Sequence, residues 1–127
     1  MTRRIGGVFL ALGLVSAPVA VAQDVGGPQV ENGTGAVLRA LDKVSGRSRD
    51  ITLRLDESHA LGHLDITLRE CRYPVEDPAS NAFALLQVHD NREDRSLFSG
   101  WMIAASPALN AIDHARYDVW VIRCTTS

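Results

Sequence analysis

Apolar and polar residues alternate along much of the chain after residue 36, which is the pattern of β-strands with one buried face. In residues 49–55, Ile51, Leu53 and Leu55 alternate with polar neighbours, and residues 63–70 repeat the pattern. Turn-forming residues separate such runs, so the sequence predicts strands at 36–44, 49–55, 63–70, 82–89, 97–104 and 117–124. About six short strands indicate a mainly β fold, either a small antiparallel sandwich or an open barrel.

Three local features qualify this pattern. Cys71 has the wrong parity to share a face with the apolar residues before it, so either a bulge follows Glu70 or the cysteine lies outside the core. The strand at 117–124 is apolar on both faces, which is typical of a central strand. Ser106 followed by Pro107 suits a helix start, so we expect one short helical turn there.

The N-terminus has the three zones of a secretory signal peptide. Arg3 and Arg4 precede an apolar run at 5–15, and the small-x-small sequence at 20–22 predicts cleavage before Gln23. An uncleaved anchor is the alternative, but the run is shorter than the roughly 20 apolar residues that cross a bilayer. We therefore expect a periplasmic protein with no stable membrane span after cleavage. Its predicted parts are a signal peptide at 1–22, a flexible glycine-rich lead-in at 23–35 and a single β domain at 36–127.

Charge and cysteine content narrow the range of functions. Acidic residues number 15 against 13 basic ones, and this balance argues against a nucleic-acid partner. All basic residues except Lys43 are arginines. We attribute this to genome composition, and a surface that binds phosphate is the weaker alternative. Cys71 and Cys124 are the two cysteines, and an exported chain would let them form a structural disulfide. A redox or metal pair is the alternative, but no Cys-x-x-Cys sequence supports it.

The candidate catalytic residues carry a weak signal. Asp113 and His114, with serines upstream, supply the residue types of a Ser-His-Asp hydrolase, but no Gly-x-Ser-x-Gly sequence marks a nucleophile. His59 and His63 are four residues apart in a region predicted to be extended, where that spacing separates metal ligands too widely. We therefore predict no catalytic residue, no metal and no cofactor, and we expect that the protein is not an enzyme.

The densest cluster of large apolar residues is the candidate binding site. Phe98, Trp101 and Met102 lie in one predicted strand, and Tyr117 begins the last strand. Core packing is the simpler interpretation of each residue. Aromatic residues and methionine are also enriched at interfaces, so we name these four as candidate binding residues, with Trp101 first.

Five segments of the chain together form a specific pattern: Phe98-Ser99-Gly100-Trp101-Met102, Ser106-Pro107-Ala108-Leu109-Asn110-Ala111, Tyr117-Asp118-Val119-Trp120-Val121, Leu41-Asp42-Lys43-Val44-Ser45-Gly46 and Arg69-Glu70-Cys71-Arg72-Tyr73-Pro74. On these segments the sequence resembles a bacterial family catalogued as domain of unknown function 2155, over roughly residues 35–124. Ala115 departs from the proline expected after His114. The resemblance implies an exported envelope protein and supplies no established activity, so no catalytic residue is carried over.

These observations lead to one main hypothesis and two alternatives. The main hypothesis is a non-catalytic binding or assembly module whose partner is another protein of the cell envelope. The first alternative is a small hydrolase that uses His114 and Asp113. The second is a carrier that binds an apolar small molecule at the mouth of a barrel.

Overall fold

A computed structural model describes residues 6–7, 10–18 and 29–127 and forms eight β-strands and no helix within them. Each of the six predicted strands corresponds to an observed strand, so the mainly β fold class is confirmed. Two short strands, Val30–Asn32 and Ser58–Leu61, are additional. The strands are β1 (Val30–Asn32), β2 (Gly35–Asp42), β3 (Ser48–Arg54), β4 (Ser58–Leu61), β5 (Leu64–Pro74), β6 (Phe83–Asp90), β7 (Arg95–Ile103) and β8 (Tyr117–Thr125).

The strands form two antiparallel sheets that do not close into a barrel. The larger sheet has the order β1-β5-β6-β7, with β4 also paired to β5. The smaller sheet has the order β3-β2-β8. Of the two predicted architectures, the sandwich is therefore the correct one.

The core lies between the two sheets and is built from every second residue of their strands. Each sheet contributes aliphatic side chains that are at most 5% exposed, and burying one such side chain contributes about 1.5–3 kcal/mol. The larger sheet supplies Leu64, Ile66, Leu68, Leu86, Val88 and Met102. The smaller sheet supplies Leu38, Ile51, Leu53, Val119 and Val121.

A β-bulge in β5 explains the parity of Cys71. Leu68 pairs with Leu86 and Glu70 pairs with Leu85, so Arg69 is the extra residue. The bulge turns Cys71 into the core, where it is 1% exposed and bonded to Cys124 of β8. The bulge alternative was therefore correct, although the bulge lies just before Glu70. The predicted disulfide is present and joins the two sheets.

Strand β8 lies at an edge of the smaller sheet, so the prediction of a central strand was wrong. Val119 and Val121 are buried in the core, whereas Trp120 and Ile122 are half-buried and lie on the strand's other face. Apolar residues on both faces therefore do not reflect two neighbouring strands. Trp120 instead lines a surface groove.

The predicted helical turn is also not observed. Residues 106–109 form one turn, in which the Leu109 N–H donates to the Ser106 carbonyl at 3.1 Å. A helix needs further i to i−4 hydrogen bonds to offset the cost of its first turn. The chain beyond the turn forms no regular secondary structure before β8, and Ile112 is buried in the core at 5% exposure.

The first β-strand lies before residue 36, the predicted start of the β domain. Residues 29–35 of the expected lead-in include β1 and the first residue of β2, whereas residues 23–28 lie outside the described residues. At Gly33 the chain crosses from the larger sheet to the smaller one, and its N–H donates to the Cys71 carbonyl at 2.6 Å. A Cβ at Gly33 would lie 2.9 Å from that of Cys124, so this crossing requires glycine.

The described part of the N-terminal apolar segment is highly exposed. Leu10, Leu12, Leu14 and Val15 are 80–96% exposed. The remainder of the predicted signal peptide, residues 1–5, 8–9 and 19–22, lies outside the described residues. No helix among the described residues is long and apolar enough to cross a membrane. The signal peptide stays a prediction.

Candidate functional site

The four predicted binding residues do not share one surface. Met102 is 1% exposed in the core, and Phe98 packs against the core from the same strand. Trp101 is half-buried and has the opposite parity, so it lies on the outer face of β7. Tyr117 begins β8 in the other sheet. Trp101 and Tyr117 therefore mark two separate places that could meet another molecule.

Trp101 lies on an apolar part of the larger sheet's outer face. It pairs with Leu85, and the neighbouring pair on this face is Phe83 with Ile103; all four residues are half-buried. The guanidinium carbon of Arg72 lies 5.1 Å from the centre of the Trp101 ring. Such a cation–π contact contributes about 0.5–1 kcal/mol at an exposed site, and it holds the ring in place. We call these four paired residues the Trp101 face.

The loop between β7 and β8 borders the Trp101 face. The Asn110 side-chain amide donates to the Trp101 carbonyl at 2.7 Å, which occupies a backbone acceptor of strand β7. Ile112 anchors the loop in the core, while Leu109 remains 71% exposed. A loop fixed at two points that still exposes a large apolar side chain is suited to contact a partner.

The same loop forms one wall of a shallow groove on the smaller sheet. The groove encloses about 440 Å³ and is mostly apolar. Its lining, which we call the Trp120 groove, consists of Pro107, Ala108, Ala111, Asp118 and Trp120. Asp118 and Trp120 share the outer face of β8 because they are two residues apart.

The Trp120 groove carries one negative charge without a partner among the described residues. The Asp118 carboxylate is half-buried and enters no ion pair or hydrogen bond there. Arg39 pairs with Trp120 across the sheet, but its guanidinium is held by Asp50, with Nε and Oδ1 2.8 Å apart. The groove therefore combines an apolar surface with an uncompensated carboxylate.

Tyr117 lies between two cavities at one end of the sandwich. Its ring packs on Gly62, which has a φ of +57° and whose missing Cβ leaves room for the tyrosine hydroxyl. The cavity on one side encloses about 400 Å³ and the one on the other about 470 Å³. Arg116 lies over the ring at 5.2 Å, and His114 stacks on it with a centroid separation of 5.5 Å.

The geometry of His114 does not match a hydrolytic triad. Its Nδ1 accepts the backbone N–H groups of Arg116 and Tyr117, both at 3.1 Å, so the neutral ring carries its proton on Nε2. In a Ser-His-Asp triad, Nδ1 instead donates its proton to the carboxylate. Asp113 is exposed and forms no hydrogen bond with this ring within the described residues. His114 therefore supports the loop.

Two carboxylates at this end are fixed by hydrogen bonds. A hydrogen bond from Arg116 is the main cause that lowers the pKa of Asp42; burial opposes it, and the amides of Val44 and Ser45 lower the pKa further. Burial raises the pKa of Asp90, but the amides of Arg92 and Glu93 together with nearby positive charge lower it more, so its pKa is below the usual range. Both groups are therefore ionised and already engaged with donors.

The Trp120 groove was not predicted from the sequence, although several of the residues that line it were discussed. Asp118 and Trp120 were assigned to a buried strand, and Ala108 and Ala111 to a helical turn. The alternation within β8 was the available signal, because Val119 and Val121 already account for the inner face. Parity places Trp120 on the opposite face from these valines, and the error was to expect that face to be buried as well.

Two matches relate this chain to known proteins. A family model described as "Uncharacterized protein conserved in bacteria (DUF2155)" matches residues 36–124. Uncharacterized protein RP359 of Rickettsia prowazekii (strain Madrid E) is 25% identical over 99 residues, which cover 76% of this chain and 64% of that relative. This chain thus spans less than two thirds of the relative's length. No solved structure matches. The resemblance read from the sequence is confirmed, and the chain belongs to the DUF2155 family of bacterial proteins.

Proposed function

We propose that this protein is an exported, non-catalytic module that binds another protein of the cell envelope through the Trp120 groove. The observation that carries the proposal is the pairing of an apolar groove with the uncompensated Asp118 carboxylate. Its charge complement is an extended partner segment with an apolar side chain next to a lysine or arginine. The apolar side chain would cover Trp120, and the cation would meet Asp118.

Leu109 on the loop and the Trp101 face on the larger sheet offer further apolar surface to a partner. Leu109 is highly exposed, and the Trp101 ring is held by Arg72. Rigid aromatic side chains lose little conformational entropy on binding, so they are suited to anchor a partner. Of the four binding residues predicted from the sequence, we therefore assign partner contact to Trp101 and a supporting role to the others.

Two observations support export. The N-terminal apolar residues are exposed and have no partner in the described part of the protein, as expected for a segment read by the export machinery. The Cys71–Cys124 disulfide suits an oxidising compartment. Mass spectrometry of the protein from the periplasmic fraction should give a chain that starts at Gln23. An intact N-terminus in the cytoplasmic fraction would contradict export.

The partner proposal is tested by crosslinking and copurification of the tagged protein from the bacterium that encodes it. Asp118→Lys should reduce recovery of the partner about tenfold, because it replaces attraction with repulsion at a half-buried site. Glu57→Lys is the matched control, since this exposed acid lies in the β3–β4 turn outside the groove. Circular dichroism should show that both variants fold.

Two tryptophan variants separate the parts of the surface. Trp120→Ala should lose the same partner, whereas Trp101→Ala measures how far contact extends onto the larger sheet. The captured partner should contain a segment in which an apolar residue adjoins a lysine or arginine. Equal recovery with wild type, Asp118→Lys and Trp120→Ala would refute the proposal.

A further inference from the structure

The 400 Å³ cavity beside Tyr117 differs in character from the Trp120 groove. Its floor is apolar: Ala40 and Leu61 are buried, and the half-buried Tyr117 ring forms one side. Its rim comes from the β2–β3 turn and the start of β3, and consists of Ser45, Arg47, Ser48 and Arg49. A volume of this size falls within the range of small-molecule sites, roughly 300–1,000 Å³.

The charges around this cavity do not cancel. Asp42 lines it, but its carboxylate accepts hydrogen bonds from Arg116 at 3.1 Å and from the Val44 amide at 2.9 Å. Arg47 and Arg49 enter no ion pair within the described residues, although they are exposed and close in sequence. The rim thus holds two guanidinium groups without counter-ions, in a chain whose net charge is −2.

We propose that this cavity binds a small amphiphile with an anionic head group, a phosphate or a carboxylate. The guanidinium groups of Arg47 and Arg49 bind the anion, helped by the hydroxyl groups of Ser45 and Ser48. Arginine suits this role because its planar fork donates paired hydrogen bonds to such oxyanions. The apolar body of the ligand lies on Leu61 and the Tyr117 ring. This site goes beyond the proposed protein partner, which would bind elsewhere.

Calorimetric titration of the folded, disulfide-bonded protein tests both halves of the site. The probes are hexyl phosphate, inorganic phosphate and 1-hexanol, each titrated at low ionic strength. Hexyl phosphate should bind at least about tenfold more tightly than either of the others, because only this probe uses both the rim and the floor. Inorganic phosphate stands for a free anion. Hexyl phosphate stands for a lipid, in which an anionic head group is joined to an apolar chain.

Substitutions at the start and at the far end of β3 provide the test and its matched control. The double variant Arg47→Gln/Arg49→Gln should weaken hexyl phosphate binding about tenfold or more, since charge-assisted hydrogen bonds are lost. Arg54→Gln removes an exposed arginine from the far end of β3 and should change nothing. Binding should also weaken as salt is added, because the rim is exposed.

Several results would overturn this site. One is the absence of saturable hexyl phosphate binding. Another is equal affinity for inorganic phosphate, which would show that the apolar floor does not contribute to binding. Equal affinity for 1-hexanol would show that the anionic group does not contribute. Unchanged affinity in the double variant would also refute it. Trp120→Ala should leave hexyl phosphate binding intact, so failure of this site and failure of the protein partner are distinguishable.

Discussion

Loss of the disulfide should remove a large share of the protein's stability. The bond joins Cys71 in one sheet to Cys124 in the other and closes a loop with a sequence separation of 53. In the chain-entropy account, opening such a loop lowers the free energy of unfolding by about 4 kcal/mol. For a domain of about 100 residues this corresponds to a fall in Tm of about 20 °C.

The assay compares three forms of the protein in urea and in thermal unfolding. Wild type is measured with and without reductant, and Cys71→Ala/Cys124→Ala is measured under both conditions. Reductant should destabilise wild type by about 4 kcal/mol and leave the double variant unchanged. The variant should also be slightly less stable than reduced wild type, because both sulfur atoms pack against the core.

A small effect would refute this reasoning. If reduced wild type lost less than about 1 kcal/mol, the bond would not be restraining the unfolded chain as assumed. The two sheets would then be held together by their side-chain packing alone.

Three further substitutions test other parts of the fold. Gly35→Ala should destabilise the domain by about 1–3 kcal/mol, because its Cβ would collide with a neighbouring carbonyl oxygen, whereas Gly100→Ala meets only ordinary contacts and should be nearly neutral in urea unfolding. His59→Leu should raise the free energy of unfolding by about 1 kcal/mol, since the buried Nε2 has no hydrogen-bond partner among the described residues; lower stability would contradict this. Because Arg116 lowers the pKa of Asp42, the stability that this pair supplies is present above the ordinary pKa of about 4 and is lost as the pH falls through the lowered value. Asp42→Asn should flatten the acid limb of a stability–pH curve, and an unchanged limb would refute the role of this pair.

The main strands were predictable because each obeys a simple period of two. Residues 49–55 and 63–70 each place apolar side chains on one face, and both correspond to strands in the structure. Strands β1 and β4 were missed because three and four residues are too few to show a period. They form because β5 offers them a free edge, which is a tertiary effect.

Strand order and the loop conformation were not predictable from local sequence. The apolar outer face of β8 suggested a central strand, but Trp120 on that face lines a groove together with residues from 107–111. Ser106 and Pro107 have the chemistry of a helix start. Tertiary contacts compete with this local signal, because Ile112 is buried in the core and the Asn110 side chain donates to β7.

The candidate sites depend on residues that are distant in sequence. The cavity beside Tyr117 combines the β2–β3 turn with Gly62, which no local pattern connects. Trp101 was named first among the candidate binding residues, although core packing was the simpler interpretation of it. Its orientation emerged only from the pairing with Leu85 and the contact with Arg72.

Site-specific photocrosslinking in the living bacterium tests the central claim most directly. A photoreactive amino acid at Leu109, which is 71% exposed beside the groove, should yield one discrete adduct. Asp118→Lys should abolish it, and the crosslinked partner peptide should carry an apolar residue beside a lysine or arginine. Val44 is the matched control, as an apolar residue that is 77% exposed in the β2–β3 turn. An equal adduct at Val44, or one at Leu109 that persists in Asp118→Lys, would contradict the account.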